Sequence, residues 1–96
     1  MNELAKINET IFENIKHIDN EGYEYWYARE LQKVLEYTEW RKFVGVIKKA
    51  INSCKTSNYV VSDHFVGDDK MVDIGSNTSR NIEDYKLSRY ACYLIA

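Results

Sequence analysis

The sequence predicts an α+β domain, mainly helical, with about four helices, a short strand and a small β-hairpin. Three observations predict it. Apolar residues recur at helical spacing in three separate stretches, and an alternating aromatic run, Tyr23-Glu24-Tyr25-Trp26-Tyr27, interrupts them. Two β-prone runs then flank the turn-forming Gly67-Asp68-Asp69-Lys70. The chain has 96 residues, no proline, no internal repeat and no low-complexity stretch, so nothing marks a linker and residues 1–96 form one domain. With 45% apolar and 29% charged residues, the composition is globular and excludes a disordered tail.

The first element is an amphipathic helix over 3–19. Leu4, Ile7, Ile11, Ile15 and Ile18 form its apolar face, and Asn20-Glu21-Gly22 stops it. The aromatic run at 23–27 is a strand, because alternation at period two places successive side chains on opposite faces. A short helix follows over 28–36, with Ala28, Leu31, Val34 and Leu35 inward.

After a tight turn, Thr38 caps the next helix, with Glu39 in its first turn. Trp40, Phe43, Val44, Ile47, Ile51 and Cys54 make its apolar stripe. Gly45 costs such a helix about 1 kcal/mol relative to alanine. It marks a close crossing by another element, or a flexible point. Residues 56–62 read as loop or a frayed end, His64-Phe65-Val66 pairs with Met71-Val72-Asp73-Ile74 as the hairpin, and 75–80 is a polar loop. Asn81 caps the last helix, with Asp84 three residues on. From Tyr90 to Ala96 that helix is apolar on nearly every side, so it must be buried. The expected cover is chain beyond Ala96, in a longer protein of which this is the amino-terminal piece, or a second copy in a homodimer.

The net charge of −2 does not advertise a nucleic-acid partner, but its distribution is informative. Residues 1–22 hold two lysines against five acids. Residues 23–58 hold seven basic residues against four acids, and 59–96 hold four against six. The middle third is therefore where a phosphate partner would be met. There the two helices and their turn form a helix-turn-helix-like hairpin, whose second helix would enter a major groove. The candidate DNA-binding residues are Arg29, Lys33, Thr38, Arg41, Lys42, Lys48, Lys49 and Lys55. The competing reading is a solvated basic face. Tyr23, Tyr25, Trp26 and Tyr27 are either a base-stacking platform or, as we prefer, half-buried strand packing.

Other chemistry finds little support. Cys54, Cys92, His17 and His64 contain no pair at metal-ligand spacing, and the two cysteines read as free, mostly buried thiols of a reducing cytoplasm. Asp63-His64 is an isolated pair, Asp68-Asp69 belongs to a turn, and Ser76, Thr78 and Ser79 have no base beside them. The expectation is a cytoplasmic protein with no catalytic residues, no metal and no cofactor. No signal organisation or spanning segment points to a membrane.

The stretch Tyr25-Trp26-Tyr27-Ala28-Arg29-Glu30-Leu31 through Leu35-Glu36-Tyr37, then Trp40-Arg41-Lys42-Phe43, resembles the amino-terminal domain of the BRO and phage antirepressor family. Trp40-Arg41-Lys42-Phe43 and the segment Asn81–Ala96 are similar, more narrowly, to the bacterial damage-inducible members. The resemblance covers about residues 23–96. It implies an α+β domain proposed to bind DNA in damage response or transcription regulation, usually followed by a variable carboxy-terminal domain. It implies no cofactor and no reaction. DNA, held mainly through phosphate, is the expected partner; the alternative is a repressor or recombination protein bound and inhibited without DNA contact.

Overall fold

The computed structural model describes residues 9–96. In chain order the elements are helix α1 (Glu9–Asn14), strands β1 (His17–Ile18) and β2 (Glu24–Tyr27), and helices α2 (Ala28–Val34) and α3 (Trp40–Thr56). A 3-10 turn at Val61–Asp63 leads to β3 (Phe65–Gly67), β4 (Lys70–Gly75), β5 (Thr78–Ile82), β6 (Tyr85–Leu87) and helix α4 (Arg89–Ile95). The strands form a four-stranded antiparallel sheet in the order β1-β2-β6-β3 and a separate two-stranded ribbon, β4-β5. The α+β class and the helical hairpin in mid-chain are as expected.

One face of the sheet makes the core. Trp26, Leu87 and Phe65 stand in register on adjacent strands, and all three are buried. Phe12 of α1 stacks on Trp26 at 4.4 Å, and the Trp26 indole N–H donates to the Phe12 carbonyl at 2.9 Å. The largest aromatic group in the core is thus satisfied at its polar end while its ring is removed from water. Helix α4 packs on β2 and β6 and on α3, which buries Ala91, Cys92 and Ile95 within the chain itself; Tyr93 stays exposed. The inner stripe of α3 is Phe43, Ile47, Ala50 and Cys54, with Trp40, Val44 and Ile51 only partly covered.

Several expectations are corrected. The first helix stops at Asn14, and residues that continue its periodicity join a hairpin instead: His17 pairs with Tyr25 and Ile18 with Glu24. The cause is Asp19, whose carboxylate accepts from the backbone N–H groups of Glu21 and Tyr23, both at 2.9 Å, closing the turn to β2. Ile18 is therefore exposed. Leu4 and Ile7 lie outside the described residues.

The predicted β-hairpin is also misplaced. β3 pairs with β6, and β4 pairs with β5 across a turn whose central residues, Ser76 and Asn77, both have positive φ (47° and 63°). That is a type I′ geometry, usually signalled by Asn-Gly and here built from residues that signal it weakly. Asn81 lies in β5, and α4 starts later, at Arg89, capped by the Ser88 hydroxyl accepting from Ala91 N–H at 3.0 Å.

Asp84 does cap a helix, but a different one. It is 3% exposed, and its Oδ1 accepts from Arg29 N–H at the start of α2 (3.1 Å) and from Tyr85 N–H (2.8 Å). Its Oδ2 accepts from Lys70 Nζ at 3.3 Å. Helix α2 needs this, because Tyr27 at its N-cap makes no side-chain bond.

Candidate nucleic-acid interface

Helices α2 and α3 are joined by residues 35–39, and the turn closes on backbone alone. Glu36 sits at φ 65°, while its N–H donates to Lys33 O and Tyr37 N–H to Gln32 O, both at 3.1 Å. This is a Schellman closure with glutamate in the left-handed position that glycine favours. Thr38 is exposed in the turn and is not the cap. Glu39 occupies that position, without a side-chain cap bond.

From there α3 runs 17 residues, about 26 Å at 1.5 Å per residue. It carries Arg41, Lys42, Lys48, Lys49 and Lys55 and no acid. At 100° per residue, Arg41, Lys48 and Lys55 fall on one line along the helix, and Lys42 and Lys49 on a second. The two lines flank an outward strip containing Gly45 and Asn52, diametrically opposite Phe43, Ile47, Ala50 and Cys54. All five cations are exposed. Only Lys42 makes an ion pair among the described residues, with Glu39 at 2.9 Å. That pair is solvated on both sides and holds Lys42 weakly.

Gly45 is not at a crossing. A Cβ there would meet nothing within 4 Å, so its bare backbone faces solvent between the cation lines. Lys33 is exposed on the last turn of α2, off the helix that carries the five cations above. Arg29 is engaged in holding the fold. Its guanidinium lies 4.1 Å over the Trp40 ring, and its Nε donates to the Glu83 carbonyl at 2.7 Å. Trp40 in turn donates through Nε1 to Glu83 Oε1 at 3.1 Å. These bonds tie the root of the β4–β5 ribbon to the first turn of α3. Nothing in local sequence pattern signals that tie, because its partners are more than forty residues apart.

The aromatic run divides by strand alternation. Trp26 goes to the core, while Tyr25 and Tyr27 join His17, Val66 and Lys86 on the outer face of the sheet. Their rings are already engaged: His17 stacks on Tyr25 at 5.4 Å, Lys70 lies 3.5 Å over Tyr27, and Lys86 lies 4.9 Å over Tyr25. A hydrogen bond with Tyr25, and secondarily burial, pushes the Tyr27 phenol up to about 12. The arrangement is strand packing, with the ring faces occupied by the chain's own side chains.

A cleft of about 170 Å³ lies beside β6, lined in part by Asp19, Asp63, His64, Lys86 and Ser88. His64 Nδ1 is 2.7 Å from Ser88 Oγ. That hydroxyl also accepts from Ala91 N–H as the α4 cap, so the pair reads as support for the start of that helix. Cys54 and Cys92 are free and buried, and burial pushes the Cys92 thiol up, keeping it protonated. Among the described residues no group of His, Cys, Asp and Glu is arranged to hold a metal ion, and no helix is long and apolar enough to cross a membrane.

The BRO family N-terminal domain matches residues 14–96, which take in all six strands and α2, α3 and α4. The chain belongs to this family. As a BRO-type domain it is 48% identical over 84 residues to DNA damage-inducible protein D of Escherichia coli (strain K12). The alignment covers 88% of this chain and 31% of that protein, so the chain spans about a third of the length of the curated relative it matches. No solved structure matches it significantly.

Proposed function

We propose that this BRO-type domain is a non-catalytic DNA-binding regulatory module of the cytoplasm that holds duplex DNA through the outward face of α3. The observation that carries this reading is the pair of cation lines, Arg41–Lys48–Lys55 and Lys42–Lys49, on a helix without an acid. A face of that kind concentrates phosphate even on a chain whose net charge is −2. The bare strip between the lines lets the helix backbone approach a groove floor while lysines on both sides reach the flanking strands. The name of the relative, DNA damage-inducible protein D, supports a setting in the response to DNA damage.

The test is duplex affinity at two salt concentrations, with Arg41→Glu and Lys48→Glu combined. Neutralising about four phosphates gives a log–log salt slope near −3.6, and reversing two of the contacts lowers affinity by about 100-fold or more at low salt. Unchanged affinity of the double variant in low salt would falsify this assignment.

A second reading has one observation in its favour. Met71, Val72 and Ile74 are exposed on the ribbon, as protein contact sites often are. In that reading the domain inhibits a repressor or recombination protein without touching DNA. Charge reversal on α3 then has no effect, whereas Met71→Ser with Ile74→Ser abolishes capture of the partner.

A further inference from the structure

Among the described residues, the β4–β5 ribbon is the one element whose two faces are almost wholly in water. Every residue from Lys70 to Asn81 is exposed, and only Ile82 at the root is partly covered. Six residues of β4 extend about 20 Å, and the molecule measures 46 × 30 × 28 Å. A two-stranded ribbon standing alone is marginally stable in water, and this one exposes Met71 at 66% and Ile74 at 62%. An arm of this kind is completed by what it touches.

Its root shows where it is held. Glu83, immediately after β5, is bonded to Trp40 in the first turn of α3 and, through its carbonyl, to Arg29. Lys70, the first residue of β4, is bonded to Asp84, which caps the start of α2. The ribbon therefore springs from the N-terminal end of the basic helix and is continuous with the proposed DNA-facing surface. Register places Arg80 opposite Val72, on the same ribbon face as Lys70 and Ile82. Arg80 makes no ion pair among the described residues, and the tip Ser76-Asn77-Thr78-Ser79 offers hydrogen-bonding groups and no acid. Asp73 lies on the opposite face, across from Ser79, and Asp69, before β4, accepts from Asn81.

We infer that the ribbon is a wing that grips the same duplex beside the stretch covered by α3, with Arg80 on the backbone or in the minor groove and Ile74 against the groove wall. An arginine with a nearby exposed aliphatic residue suits a minor groove, which accepts cations and apolar wedges. The inference rests on the α3 reading, and it adds a second point of contact and a longer site.

The test uses the intact protein on duplexes of graded length, with nuclease footprinting. The variants are Arg80→Ala, Ile74→Ser and the α3 pair Arg41→Glu/Lys48→Glu. Arg80→Ala is expected to weaken binding about tenfold, to make the salt slope shallower by about 1 and to shorten the footprint on one side only. Ile74→Ser shortens it on the same side. Since neither side chain packs in the core, thermal unfolding of both variants should match the parent. A full-length footprint and parental affinity for Arg80→Ala, with binding lost in the α3 pair, overturn the wing and leave the helix reading standing. Parental binding by the α3 pair overturns the helix reading itself. If Ile74→Ser turns a dimer into a monomer while each protomer keeps its DNA affinity, the ribbon is a contact between copies and the wing is overturned.

Discussion

Removing the Asp84 carboxylate tests the joint between α2, β6 and the root of the ribbon. At 3% exposure it receives two backbone N–H groups, from Arg29 and Tyr85, and the Lys70 ammonium. In Asp84→Ala, loss of the cap on α2 costs about 1 kcal/mol. The cap is the bond to Arg29 N–H, and the Tyr85 N–H, also shielded from water, loses its partner at roughly another 1 kcal/mol or more. Lys70 is 44% exposed and can rehydrate, so its share is small. The total is about 2 kcal/mol, a large fraction of the roughly 5–15 kcal/mol available to a domain this size. Equilibrium urea unfolding at neutral pH reads it directly: with a slope of about 1.3 kcal/mol per molar, the midpoint falls by about 1.5 M. Asp84→Asn keeps an acceptor for the N–H groups and should lose about half as much. A loss under about 1 kcal/mol for alanine would refute the capping argument. Equal damage from asparagine and alanine would show that the charge facing Lys70, not the acceptor, matters.

Two glycine changes test the helical hairpin. Gly45→Ala places a methyl in open space on an exposed helix position and should stabilise by about 1 kcal/mol, while Glu36→Gly relieves a left-handed residue and should stabilise by roughly the same amount. Both are read as a rise in Tm. A fall for Gly45→Ala contradicts the open space around that residue, and a fall for Glu36→Gly contradicts strain at its positive φ. The carboxylates around Arg89 set an acid limit. Glu24 is held below the usual glutamate range by its hydrogen bonds to Arg89, and Glu13 by those to Lys16 and then Arg89. Because both values are depressed on folding, their stabilisation is present above about pH 4.5 and is lost as the pH falls through the lower folded values. Glu24→Gln should therefore flatten the stability profile between about pH 5 and 3, and a slope equal to the parent's would sink the assignment.

What is legible in the sequence is what is local. The apolar spacing of α2 and α3 locates both helices, and the cation pattern of α3 locates the candidate face, because both are written within one element. What escapes it depends on side chains bonding across the chain or at turns. Asp19 ends the helical register that Ile15 and Ile18 continue. Ser76-Asn77 builds a type I′ turn without the usual glycine, so pattern alone puts the hairpin one connection too early. Asp84 lies close enough to the last helix to suggest a cap there, but it caps α2, whose start is 55 residues away in sequence. Arg29 joins the DNA-binding candidates on charge, and its contacts to the Trp40 ring and the Glu83 carbonyl are not legible locally.

The register of β3 with β6 has a consequence for how such a domain diversifies. Gly67 lies opposite Tyr85, and Asp68 N–H donates to Asp84 O at 2.9 Å, so the chain has already returned to its own sheet before the ribbon begins and resumes there when it ends. Lys70–Ile82 stands outside the four-stranded sheet, across a gap that a tight turn between Asp69 and Glu83 can bridge. Its length, tip and charge can be exchanged or trimmed with the Trp26–Leu87–Phe65 core untouched and Asp84 still seated on α2. The domain thus separates a frame whose packing makes the fold from an appendage whose changes would act on binding and leave that packing intact.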